Sequence, residues 1–159
     1  MSTIALPEAE AFLYREARFA DTHEYDEWEN LWTDDAIYWV PAGGDSAIDP
    51  ANNVSVLFDN RSRIGTRVRQ LKSGKRHSQN PKSSVVRMIS NVELLGEHEG
   101  DTVVGATALV VESRDDRTTM WAGRYEYRLR RVEDDVRMSF KKVTLVDREH
   151  PINTLSILL

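Results

Sequence analysis

A chain of 159 residues with a formal net charge of −5 has the size of one domain and enough length to bury a core without cross-links. It contains no cysteine, which excludes disulfides, thiol nucleophiles, zinc–thiolate sites and cysteine-ligated iron–sulfur clusters from this chain. The acidic balance disfavours nucleic acid as a partner. No apolar run approaches the ~20 residues of a membrane helix, and residues 1–8 lack the basic-then-apolar pattern of a signal peptide, so a cytoplasmic location is expected.

The first third reads as helix. Pro7 suits a first turn, and Glu8 and Glu10 complement the positive end of the helix dipole. Leu6, Ala9, Leu13, Ala17 and Ala20, joined by Phe12, form one apolar face. A second short helix is expected from Asp21, with Glu24 closing a capping box and Tyr25, Trp28, Leu31 and Trp32 as its buried stripe. Ala36 to Pro41 is rich in strand formers and runs into a Gly43-Gly44 turn. Residues 42–53 read as loop. A third helix is predicted over 59–72, ended by Gly74, with Ile64, Val68 and Leu71 inward. Its other side is basic, carrying Arg61, Arg63, Arg67, Arg69 and Lys72, which suits a solvated face or docking to an acidic partner.

The second half reads as strands. Val86, Met88, Ser90, Val92 and Leu94 alternate with Arg87, Asn91 and Glu93, and residues 97–101 form a turn. Residues 102–112 are apolar on both parities, which points to a strand covered on both sides. After a charged turn at 114–117, Trp121, Tyr125, Tyr127 and Leu129 alternate with Arg124, Glu126, Arg128 and Arg130. In the last strand Val136, Met138 and Phe140 share one parity and Val143 and Leu145 the other, so a β-bulge is expected at Lys141-Lys142. Helices followed by consecutive strands predict an α+β domain, with helices gathered on one face of a curved antiparallel sheet and room for an interior pocket.

The chemistry these residues permit is narrow. His23, His77, His98 and His150 lie far apart in sequence, so the two histidines and a carboxylate of a mononuclear iron site are not expected. Ser78 beside His77 makes no triad, and Gly43-Gly44 and Gly74 lack phosphate-loop spacing. Tyr14, Tyr25, Asp26, Tyr38 and His77 are the residues that could line a cone pocket and move protons in it. The plainer reading makes the tyrosines core and Asp26 a solvated helix residue. The Trp121, Tyr125, Tyr127 row is likewise either sheet core or a subunit contact.

An ordered series of segments resembles the β subunits of aromatic-ring-hydroxylating dioxygenases. It opens with Ala11-Phe12-Leu13-Tyr14-Arg15-Glu16-Ala17 and Tyr25-Asp26-Glu27-Trp28. Asp34-Asp35-Ala36-Ile37-Tyr38-Trp39-Val40-Pro41 follows, then Asp59-Asn60-Arg61 and Arg67-Val68-Arg69-Gln70-Leu71. Pro81-Lys82-Ser83 leading into Arg87-Met88-Ile89-Ser90-Asn91-Val92 is the most specific match. Residues 123–130 and 141–145 fit as well. The resemblance implies a nuclear-transport-factor-2-like (cystatin-like) cone over residues 1–159, with three N-terminal helices on a strongly curved sheet. It implies no catalytic residue, cofactor or metal in this chain. The Rieske 2Fe–2S cluster and the mononuclear iron would lie in a partner α subunit, in a hexamer of three α and three β chains. Trp121, Arg124, Tyr125, Arg128, Lys142, Leu145 and Arg148 are the candidate subunit-contact residues. A cone-pocket dehydratase or isomerase of the same fold is the alternative, and a free-standing adaptor or small-ligand binder is a third class.

Overall fold

The computed structural model describes residues 3–42, 55–73, 83–146 and 157–159. Two helices, α1 (Leu6–Asp21) and α2 (Tyr25–Glu29), precede strands β1 (Trp32–Pro41) and β2 (Ser55–Asn60). Helix α3 (Arg61–Lys72) leads into β3 (Ser84–His98), β4 (Asp101–Arg114), β5 (Arg117–Val132) and β6 (Asp135–Leu145). The six strands form one sheet in the order β2-β1-β6-β5-β4-β3. Every pairing is antiparallel except that of β1 with β6, which is parallel. α1 lies across β3, and α3 lies against β1 and α2, so the helices cover the inner face of the sheet. The α+β cone expected from the sequence is the fold observed.

Local chemistry sets the boundaries. The Glu8 carboxylate accepts from the Ala5 N–H at 3.3 Å, and α1 then runs unbroken through Asp21 with Ala9, Phe12, Leu13, Ala17 and Ala20 buried. The expected capping box at Asp21 and Glu24 does not form, because Asp21 is still helical and its carboxylate is turned onto Arg87. α2 starts only at Tyr25, after His23 takes a positive φ of 60°. Strand β1 begins at Trp32, earlier than predicted, so Leu31 and Trp32 are not part of a helical stripe. β2 was not foreseen; it is a six-residue edge strand paired only with β1. Its last residue, Asn60, caps α3 by accepting from the Arg63 N–H at 2.9 Å, which starts that helix at Arg61 rather than at residue 59. The glycine pair at 43–44, Gly74 and most of the predicted 42–53 loop lie outside the described residues.

The long strands bend where their ladders lose register. β3 shifts between Ser90 and Glu93 and again between Leu94 and Gly96, with Asn91 at φ 53° and Gly96 at φ 130°. In β6 the extra residue is Ser139: Leu129 faces Met138 and Arg128 faces Phe140. The predicted phase slip is therefore real, but the bulge lies at Ser139 and not at Lys141-Lys142. Two residues of displacement decide which side chains enter the core. Lys141 points inward and is fully buried, while Phe140 and Lys142 point outward.

Candidate functional site: a sealed cone interior and an open sheet face

Seven side chains from six elements meet inside the cone. They are Glu16 (α1), Trp28 (α2), Tyr38 (β1), Arg87 (β3), Tyr125 and Tyr127 (β5) and Lys141 (β6), all buried. The Lys141 ammonium contacts Glu16 Oε1 at 2.5 Å, and the same oxygen accepts from Trp28 Nε1–H at 3.0 Å. Lys141 Nζ also lies 5.3–5.7 Å from the ring centroids of Tyr125, Tyr127 and Tyr38. Arg87 donates from Nε to Asp21 Oδ1 at 2.7 Å, and its backbone N–H reaches Asp21 Oδ2 at 2.9 Å. The mouth is filled by residues 157–159. Arg87 Nη2 donates to the Leu158 carbonyl at 2.7 Å, and the Tyr38 hydroxyl donates to the Leu159 carbonyl at 2.8 Å.

This interior does not assemble the acid–base set expected for a cone-pocket enzyme. Tyr14 is exposed. Asp26 pairs at the surface with Lys72, at 2.7 Å. The Tyr25 hydroxyl is held by His23 Nδ1 at 2.7 Å, and His23 Nε2 donates to the Ser83 carbonyl at 3.0 Å. Tyr25 and Tyr38 are the described candidates buried in the core, and the Tyr38 hydroxyl is spent on Leu159. His77 lies outside the described residues, as does His150. Among the described residues, no three histidines or carboxylates are grouped to hold a metal ion.

Burial alters the titration of the interior. It pushes the Tyr25 phenol up to about 12 and raises Tyr38, Tyr125 and Tyr127 as well. Burial lowers the Lys141 ammonium, against the opposing pull of Glu16. A phenol raised in the folded state contributes stability that is complete below the ordinary value of 10 and is lost as pH climbs through the raised value. Lys141 runs the other way, its contribution growing as pH rises toward 10.5. Urea unfolding followed from pH 8 to 12 should show stability falling steeply only above pH 10, by up to about 1.4 kcal/mol per pH unit for each phenol that ionises on unfolding. A flat profile to pH 12 would mean that the phenols are not buried.

The outer face of the sheet is open. Val86 and Met88 on β3, Met120 on β5 and Val146 are each more than half exposed. Cross-strand register aligns them in rows: Val86, Val111 and Met120 in one, and Met88, Leu109 and Ala122 in the next. The parity of β3 is thus the reverse of what alternation alone suggests, with Arg87 inside and its apolar neighbours outside. Beside this apolar zone lies a hollow of about 490 Å³ of mixed character, lined by Asn91, Glu93, Leu95, Arg124, Glu126 and Lys142 among others.

The candidate contact residues divide between the two faces. Arg124 is exposed in the hollow. Arg128 stacks on Phe140 with its guanidinium carbon 4.1 Å from the ring centre, and Lys142 Nζ sits 4.4 Å from that of Trp39. Tyr125 and Leu145, in contrast, point into the core and are each 3% exposed, so their side chains offer a partner almost no surface. Trp121 shares their parity and is partly buried against the core. Arg148 lies outside the described residues. The apolar outer row and the interior Glu16–Lys141 pair were both missed in the sequence, although the phase slip in β6 was a signal for the second.

Residues 15–150 match the family model for the ring hydroxylating beta subunit. The toluate 1,2-dioxygenase subunit beta of Pseudomonas putida is 33% identical over 102 residues, covering 62% of this chain and 63% of that subunit, just under two thirds of its length. The small oxygenase component of the p-cumate 2,3-dioxygenase system of the same organism is 27% identical over 154 residues, covering 96% of this chain and 86% of that one. The solved β subunit of a benzoate 1,2-dioxygenase from Burkholderia mallei superposes with a TM-score of 0.82 at 23% identity, over 99% of this chain and 100% of that chain. The cone, its open outer sheet and the match across residues 15–150 agree, and the chain belongs to the ring-hydroxylating dioxygenase β-subunit family.

Proposed function

We propose that this chain is a non-catalytic, structural small subunit of a multicomponent aromatic-ring-hydroxylating dioxygenase. The observation that carries the reading is the open apolar face on β3, β4 and β5, set on a cone whose interior is filled by its own side chains. An exposed apolar zone rimmed by charge is the usual form of a subunit contact. In this reading the partner is an α subunit that holds the Rieske cluster and the mononuclear iron, and three α and three β chains assemble in the cytoplasm. Arg124, Arg128 and Lys142 border the contact. Trp121 and Arg148 belong to the same proposed contact region.

Co-expression with the large subunit encoded in the same host tests this. The chain is expected to elute with an iron–sulfur protein in one high-mass peak. Elution of the chain by itself, with the large subunit soluble and folded, sinks the proposal. Arg124→Ala and Arg128→Ala should each shift the assembled peak toward free subunits, since rim arginines contribute to both affinity and orientation.

A further inference from the structure

Sulfur is sparse in this chain and unevenly placed. There are four methionines and no cysteine. Met138 is fully buried in the core, and Met1 lies outside the described residues. Met88 and Met120, in contrast, are 55% and 67% exposed on the outer face of the sheet. Methionine is among the residues most often buried, so two at the surface of one apolar zone are unusual. Register puts them in adjacent rows, Met88 with Leu109 and Ala122, and Met120 with Val111 and Val86. No side chain in these rows carries an N–H or O–H, and the backbone of β4 between them is paired on both sides. Each thioether is thus open to solvent above and seated among hydrocarbon below.

We propose that Met88 and Met120 form a peroxide-sensitive switch on assembly: each is oxidised to the sulfoxide in the free chain, and the sulfoxide form is excluded from the subunit contact. The inference rests on the reading of this face as that contact. In the oxidation the sulfur lone pair attacks one oxygen of hydrogen peroxide, and an S–O bond forms as the O–O bond breaks. The leaving hydroxide takes the proton of the transferred oxygen and departs as water. Sulfur loses two electrons and the peroxide gains them. The new oxygen is polar and accepts hydrogen bonds. In the free chain water satisfies it. Under a partner seated on these rows, their side chains offer it no donor, and an acceptor buried unpaired is costly. The change is reversible, because methionine sulfoxide reductases return the thioether.

The test uses the full chain treated with hydrogen peroxide, freed of the oxidant with catalase and mixed with untreated large subunit. Peptide mass mapping should place one added oxygen on Met88 and one on Met120, and none on Met138. Circular dichroism should be unchanged, since both side chains are solvated. Affinity for the large subunit should fall by at least about tenfold, the worth of one buried acceptor left unpaired. Incubation with methionine sulfoxide reductase should restore it. Met88→Leu with Met120→Leu leaves hydrocarbon at both sites, and its affinity, whatever the starting value, should be equal before and after treatment. An oxidised chain that binds as tightly as the untreated one overturns the switch alone. A loss of affinity that persists in this double variant also overturns it, by placing the damage elsewhere. An untreated chain that does not bind the large subunit overturns the subunit reading and the switch together.

Discussion

Replacing Lys141 by methionine should destabilise the chain by about 3–5 kcal/mol, the usual result of removing one partner from a buried ion pair. Lys141 and Glu16 are both 0% exposed and meet at 2.5 Å, with three tyrosine rings around the ammonium. Methionine matches the length and shape of the lysine stem, so packing changes little. What remains is a carboxylate with no cation in contact and only the Trp28 N–H to solvate it. The loss is therefore mainly uncompensated charge, and that makes the effect reversible by a second change. Glu16→Gln combined with Lys141→Met removes both charges and keeps an oxygen for Trp28 Nε1. The double variant should recover most of the loss, since a neutral replacement of a buried pair is often tolerated. Urea unfolding of the two single variants and the double variant gives the coupling directly. If Lys141→Met alone were as stable as the parent, the pair would not be sealed from water.

That pair also shows where sequence reasoning reached its limit. Regular periods were legible: Ala9, Leu13, Ala17 and Ala20 in α1, Ile64, Val68 and Leu71 in α3, and Tyr125, Tyr127 and Leu129 in β5 all face inward as the spacing requires. Those elements keep one phase from end to end, and the apolar phase is the buried one. Strand β3 breaks that assumption. Alternation shows that Val86 and Met88 oppose Arg87, but it carries no sign for which set is inside. Arg87 is buried because Asp21, sixty-six residues earlier, meets it at the end of α1. No local pattern contains that pairing. In β6 the slip was visible, but parity alone does not say which residue between Met138 and Val143 is the extra one, and the expected bulge falls two positions late. β2 escaped because it is a short edge strand beside a small, polar stretch. The contact residues were partly legible for the same reasons: Arg124, Arg128 and Lys142 alternate outward, while Tyr125 and Leu145 belong to the inward phase.

The reversed phase of β3 makes the second large effect possible. Met88→Glu together with Met120→Glu should leave the isolated chain folded and weaken its assembly by roughly 100-fold or more, because burying an unpaired carboxylate costs several kcal/mol. Both methionines are more than half exposed, at 55% and 67%, so in the free chain glutamate merely exchanges one solvated side chain for another. The cost to the fold is limited to strand preference, which spans only about 1 kcal/mol across residue types. At a contact the balance changes. The two sites lie in adjacent apolar rows, on either side of Leu109 and Val111 of β4, and a partner covering those rows must strip both carboxylates of water. Arg87 cannot rescue them, since its side chain is on the inner face and engaged by Asp21. Tyr14→Glu is the control: Tyr14 is 48% exposed on α1, across the sheet from this face, and the change should leave assembly intact. Sizing of the co-expressed complexes separates the cases. A complex that survives Met88→Glu with Met120→Glu would mean that partners meet this chain elsewhere, and the apolar rows would then need another explanation.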